Sequence, residues 1–153
     1  MIPLRTLALV AAAFLLASCS KPPAVARGLP SDALDAAIGP AIGDPTTCVL
    51  LADPASGKIV YRYGEQFNCE RPLPACDRPG TLTGRTALAL AASGRRTSCA
   101  SNPKATRMVG WAEGRTRGAK RDLLYSAVME GDRALPGQEM AARLTGAFQQ
   151  AGL

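Results

Sequence analysis

The sequence predicts an α+β domain. A small antiparallel sheet of two hairpins packs against N- and C-terminal helices, in the order α-β-β-α-β-β-α, with two disulfides. Three observations predict it. Apolar residues recur at helical spacing near both ends of residues 31–153: Leu34, Ile38 and Ile42, then Met140, Leu144, Phe148 and Ala151. Two pairs of β-rich runs, 46–52 with 58–63 and 107–112 with 122–130, are each joined by Gly-bearing turn chemistry. Cys48, Cys69, Cys76 and Cys99 form an even set inside the same span. Hairpins flanked by amphipathic helices favour a two-layer arrangement, the helices covering one sheet face.

Each element has a local reason. Ser31 offers a hydroxyl to cap the first helix, and Asp32 and Asp35 complement the positive end of its dipole. Gly39-Pro40 is expected to kink or end that helix. Residues 46–52 (TTCVLLA) are compact, apolar and β-rich, 53–57 (DPASG) carry turn residues, and 58–63 (KIVYRY) alternate in part. Residues 64–80 read as a long loop, with Pro72, Pro74 and Pro79 and two cysteines to staple it. Residues 81–93 (TLTGRTALALAAS) predict a helix capped by Thr83 and stopped by Gly94. A second loop is expected over 94–106. The run RMVGWA, the basic turn EGRTRGAKR and the run DLLYSAVME then form the second hairpin. Pro136 suits the first turn of the final helix, which runs to Gly152.

Four cysteines allow three pairings. The expected one is Cys48–Cys69 with Cys76–Cys99, because Cys48 and Cys69 flank the first hairpin. Zinc is not expected, since the chain has no histidine and no closely spaced cysteine pair. No metal and no cofactor is implied.

The N-terminal residues read as an address. Arg5 is followed by an uncharged run over 6–17 (TLALVAAAFLLA), the secretory pattern. That run is short of the about 20 apolar residues a spanning helix needs. It ends in Leu16-Ala17-Ser18-Cys19, which resembles the lipobox of bacterial lipoproteins. The resemblance implies cleavage before Cys19, a diacylglycerol on its sulfur and acylation of its new amino group. Ser20, where an Asp favours inner-membrane retention in that family, implies the outer membrane facing the periplasm of a Gram-negative cell. Residues 1–18 are then the signal peptide, 19–30 a Pro-rich lipidated tether, and 31–153 one domain. An oxidising compartment agrees with paired cysteines.

With 18 basic and 12 acidic side chains the chain is net +6. Such a surface favours acidic partners, among them anionic lipid head groups and phosphorylated glycans. The envelope address argues against nucleic acid. Arg95-Arg96 and residues 115–121 are the local basic concentrations, and a solvated loop face accounts for both.

A second resemblance lies in the domain. The stretch VLLADPASGKIVYRYGE resembles the opening hairpin of serine β-lactamases and penicillin-binding proteins, and Met108-Val109-Gly110-Trp111-Ala112 resembles their Lys-Thr-Gly-Trp strand. In that family a Ser nucleophile is paired with a Lys one helical turn on. Here Cys76-Asp77-Arg78-Pro79 follows Pro74-Ala75, and Met108 replaces the strand Lys. Ser101-Asn102-Pro103-Lys104 spells Ser-x-x-Lys, but within a loop. The resemblance therefore implies a shortened, inactive relative that kept the sheet.

Other chemistry is sparse. Without histidine there is no Ser-His-Asp or Cys-His site. Cys76 beside Arg78 is the one candidate for thiol chemistry, against structural pairing. Glu65, Glu70, Glu113, Glu130 and Asp132 offer carboxylates whose separation the sequence does not set. Gly110 and Trp111, with Tyr61, Tyr63 and Tyr125 on neighbouring strands, suit a ligand platform or core packing. The expected function is a non-catalytic, periplasm-facing envelope lipoprotein, held to the membrane by lipid and binding an envelope protein or peptidoglycan. A serine hydrolase or transpeptidase is the alternative, and a thiol-disulfide protein the minor one.

Overall fold

The computed structural model describes residues 28–117 and 121–153. The expected signal peptide, Cys19 and most of the expected tether lie outside the described residues. No helix among the described residues is long and apolar enough to cross a membrane.

Helix α1 (Ser31–Ile42) leads into the hairpin β1 (Cys48–Ala52) and β2 (Ile59–Tyr63). A short helix α2 (Gln66–Glu70) and two short strands, β3 (Leu73–Pro74) and β4 (Thr81–Leu82), follow. Next come α3 (Gly84–Ala89), a 3-10 turn (Ala91–Ser93), β5 (Arg96–Ala100), β6 (Met108–Arg115), β7 (Leu124–Gly131) and α4 (Gly137–Gln150). The fold is α+β, and every element of the expected order is present. The main sheet is antiparallel with strand order β2-β1-β7-β6-β5, so the two expected hairpins are joined edge to edge by β1 and β7.

Strand alternation divides the core in two. Val49 and Leu51 of β1, Ala112 of β6 and Tyr125 and Ala127 of β7 face α1 and α4. The predicted helical stripes lie on this side: Leu34, Ile38, Ile42, Met140, Leu144 and Phe148 are all buried there. On the other face Leu50, Val109, Trp111 and Val128 pack against Cys69, Leu73, Leu82, Ala87 and Leu88. Residues 66–93 thus cover the second face, and the two-layer expectation is corrected to a sheet covered on both sides.

Local chemistry explains the joints. In the β1–β2 turn, Asp53 Oδ1 accepts from the Ala55 and Ser56 amides at 3.1 and 2.8 Å, and Gly57 takes a positive φ. Thr83 caps α3 through a reciprocal pair with Thr86, as expected, and Gly94 ends the 3-10 turn in the left-handed region. The predicted helix over 81–93 is shorter, however, because Thr81 and Leu82 pair with Pro74 and Leu73 instead. Pro30, not Ser31, occupies the α1 cap position, and α1 continues past Pro40 to Ile42. Pro136 stands at the cap of α4, one residue before its first turn.

Both disulfides form with the expected pairing. Cys48–Cys69 ties β1 to α2, and Cys76–Cys99 ties the β3–β4 connection to β5, at Cα separations of 5.2 and 5.4 Å.

Candidate functional site

The second sheet face carries two ionic networks, one at each end. Glu130, near the end of β7, accepts from Ser101 Oγ at 2.6 Å, from Arg71 Nη2 at 2.9 Å, and from Arg107 Nε and Nη2 at 2.8 and 2.7 Å. The Arg107 hydrogen bonds, helped by Ser101 and the charge of Arg71, lower the Glu130 pKa to about 2 against the opposing effect of burial. At the other end Glu113 of β6, fully buried, accepts from Arg95 Nη2 at 2.6 Å and Nε at 3.1 Å. Arg95 Nη1 reaches on to Asp77, at 2.8 and 2.7 Å from its two carboxylate oxygens.

This geometry weighs on each candidate chemistry. Val109 is opposite Glu130 and Ser126 is opposite Glu113, so the two glutamates stand four positions apart on neighbouring strands. That is about 14 Å at ~3.4 Å per residue, well outside the spacing of a glycosidase pair. The Ser101 hydroxyl is bound by a carboxylate whose lowered pKa makes it a weak base. Pro103 and Lys104 lie in the β5–β6 turn, closed by the Ala105 amide on the Asn102 carbonyl at 3.1 Å, not on a helix. Cys76 is disulfide-bonded to Cys99 and so carries no free thiol. Among the described residues no group of three or more His, Cys, Asp or Glu is placed to hold a metal ion.

Trp111 is fully buried, and its indole N–H donates to the Pro74 carbonyl at 2.7 Å. Tyr61 and Tyr125 face the opposite core, so the aromatic residues do not converge. The platform reading is corrected accordingly: Trp111 packs β6 against the β3–β4 ribbon. Gly110 has a packing reason as well, since a Cβ there would stand 2.1 Å from the Leu135 carbonyl oxygen.

Sequence reasoning named Glu130, Asp132 and Tyr125 but not the clefts that they help to line. One cleft, of about 220 Å³, lies beside the Glu130 network and includes Asp44, Arg107, Asp132 and Arg133. Another, of about 270 Å³, lies between the sheet and α4 and includes Arg96, Arg115, Arg117, Tyr125 and Gln149. A shallow groove between α1 and α4 is lined by Ala37, Pro40, Ala41, Arg143, Gly146 and Gln150, among others. The signal for the second cleft was available, because Arg96, Arg115 and Arg117 come from the two basic concentrations of the sequence. Only the β5–β6 pairing brings them together.

No family model, no curated protein and no solved structure matches this chain.

Proposed function

We propose that this chain is a non-catalytic envelope lipoprotein, anchored by lipid on Cys19 and displaying a disulfide-tied domain that binds an envelope partner. Two disulfides in a chain whose N-terminal residues end in a lipobox-like Leu-Ala-Ser-Cys carry this reading. Both features belong to an exported protein. With Ser20 after the cysteine, the outer membrane facing the periplasm is the proposed location, and a protein or peptidoglycan the proposed partner class. The engagement of Ser101 by Glu130, rather than by Lys104, supports the non-catalytic reading over a serine hydrolase.

The test is mass spectrometry of the protein expressed in a Gram-negative host. A mature N-terminus at a diacylglyceryl, N-acylated Cys19 is expected, and Cys19→Ser is expected to abolish acylation and membrane retention. An unacylated chain beginning at Met1 in the cytosol would overturn the proposal. Covalent labelling by a fluorescent penicillin that is lost in Ser101→Ala would restore the hydrolase reading.

A further inference from the structure

The cleft between the sheet and α4 has an unbalanced charge. Arg115 is held by Asp122 at 2.6 Å. Arg96 and Arg117, in contrast, form no ion pair or side-chain hydrogen bond with any of the described residues, yet both line the cleft. Their charges reach the same point: burial pushes the Tyr125 phenol pKa up, Arg96 and Arg117 oppose that push, and the charge of Glu113 adds to it as the smallest contribution. Glu113 is the one acid lining the cleft among the described residues, and Arg95 occupies both its oxygens. Strand alternation also places its side chain on the sheet face opposite Tyr125.

The cleft beside Glu130 shows that this is not a general property of arginine at the surface of this protein. There Arg107 is paired with Glu130 at 2.7 Å and Arg133 with Asp44 at 2.9 Å, while Asp132 adds a further negative wall. An anion gains little at that site. In the cleft by α4, two guanidinium groups line one recess whose single acid among the described residues, Glu113, is already held by Arg95. An anion placed there receives planar, forked donors, the geometry that suits phosphate oxygens. At about 270 Å³ the recess is somewhat smaller than a pocket that engulfs a drug-sized ligand, ~300–1,000 Å³, so it fits a head group rather than a whole molecule. Gln149, exposed on α4, also lines the cleft, and its side chain carries an amide donor.

We propose that this cleft binds a phosphate group of an envelope ligand, with Arg96 and Arg117 as the guanidinium donors and the Gln149 amide as a third. The envelope source of that phosphate rests on the function proposed above, whereas phosphate binding itself does not. A phosphorylated lipid head group and a soluble phosphate ester offer the same chemistry to the cleft.

The experiment follows the arginine side-chain N–H resonances of the purified full chain in uncharged detergent micelles. Inorganic phosphate is titrated in one arm. In the other, micelles are doped with phosphatidylglycerol or, as a control, with phosphatidylcholine. Saturable shifts are expected in wild type, and Arg96→Gln/Arg117→Gln is expected to weaken binding at least tenfold. Lys58→Gln/Arg85→Gln, which removes the same charge elsewhere, is expected to change it less than twofold. Response to inorganic phosphate supports a soluble ester as ligand, and response to phosphatidylglycerol alone supports a lipid head group. The proposal is overturned if wild type shows no saturable shift with either probe, or if the two double variants weaken binding equally. Because lipidation is read separately by mass spectrometry, an unacylated protein that still binds phosphate would count against the envelope reading alone.

Discussion

Arg95 holds Glu113 by two hydrogen bonds, Nη2 to Oε1 at 2.6 Å and Nε to Oε2 at 3.1 Å, and Glu113 has no exposed surface. A buried carboxylate is tolerated only with such a partner. Arg95→Met therefore leaves an uncompensated charge in the core and is expected to cost about 3–5 kcal/mol in urea denaturation. Replacing both, as Arg95→Met/Glu113→Leu, is expected to recover much of that loss, because the stranded charge is gone. If the double variant is no more stable than Arg95→Met, the pair is not the source of the effect.

Glu130 gives the fold a pH dependence at the acid end. Its carboxyl is held at about 2, below the ordinary 4.5, so the ionised form is favoured by folding. That contribution is complete above about pH 4.5 and is lost as pH falls toward 2, amounting to up to ~3 kcal/mol across the window. Glu130→Gln is expected to lower stability at pH 7 and to flatten its slope between pH 4.5 and 2. An unchanged slope in thermal melts over that range would refute the assignment.

The parts of this fold that were legible had a period, and the parts that were not had none. The stripes of α1 and α4 announce buried faces at helical spacing, and the structure buries them. The run Cys48–Ala52 (CVLLA) held a further clue: five apolar residues without alternation mark a strand buried on both faces, and all five are. That signal argues for a second cover, which residues 66–93 supply. Strand β5 (Arg96–Ala100, RTSCA) offered no apolar alternation because it lies at the sheet edge, with exposure alternating between exposed and half-buried positions. Its pairing is specified by β6, the next strand along the chain, and not by any period of its own. The same applies to the cleft by α4: Arg96 and Arg117 are 21 positions apart, and only the sheet makes them neighbours. Trp111 was equally legible as core or as platform, since alternation sets a face only once the register is known.

The two disulfides differ in access, and reduction will separate them. Cys48 and Cys69 are buried, whereas Cys76 and Cys99 are half-buried near the surface. Under native conditions dithiothreitol is expected to open Cys76–Cys99 first, and to open Cys48–Cys69 only at denaturant concentrations that unfold the domain. Alkylation followed by mass spectrometry reads the order directly. With sequence separations of 21 and 23 residues, each bridge is expected to contribute about 3 kcal/mol, so Cys76→Ala/Cys99→Ala folds but melts earlier. Simultaneous opening of both bridges would contradict the difference in burial.

Two glycines tied to α4 are expected to respond in opposite ways to the same substitution. Gly110 of β6 faces the segment that leads into α4, and a Cβ there would meet the Leu135 carbonyl oxygen at 2.1 Å and Met140 Sδ at 3.1 Å. The backbone oxygen cannot yield without moving the start of the helix, so Gly110→Ala is expected to cost about 3 kcal/mol or more, the range of severe core overpacking. Gly146 lies inside α4 at ordinary helical φ, with nothing within 4 Å of an added Cβ. There alanine removes backbone freedom from the unfolded chain at no steric cost, and Gly146→Ala is expected to stabilise by up to about 1 kcal/mol. Paired urea denaturation curves decide it: equal midpoints for the two variants would show that β6 is not packed at Gly110 against the backbone of the segment that leads into α4.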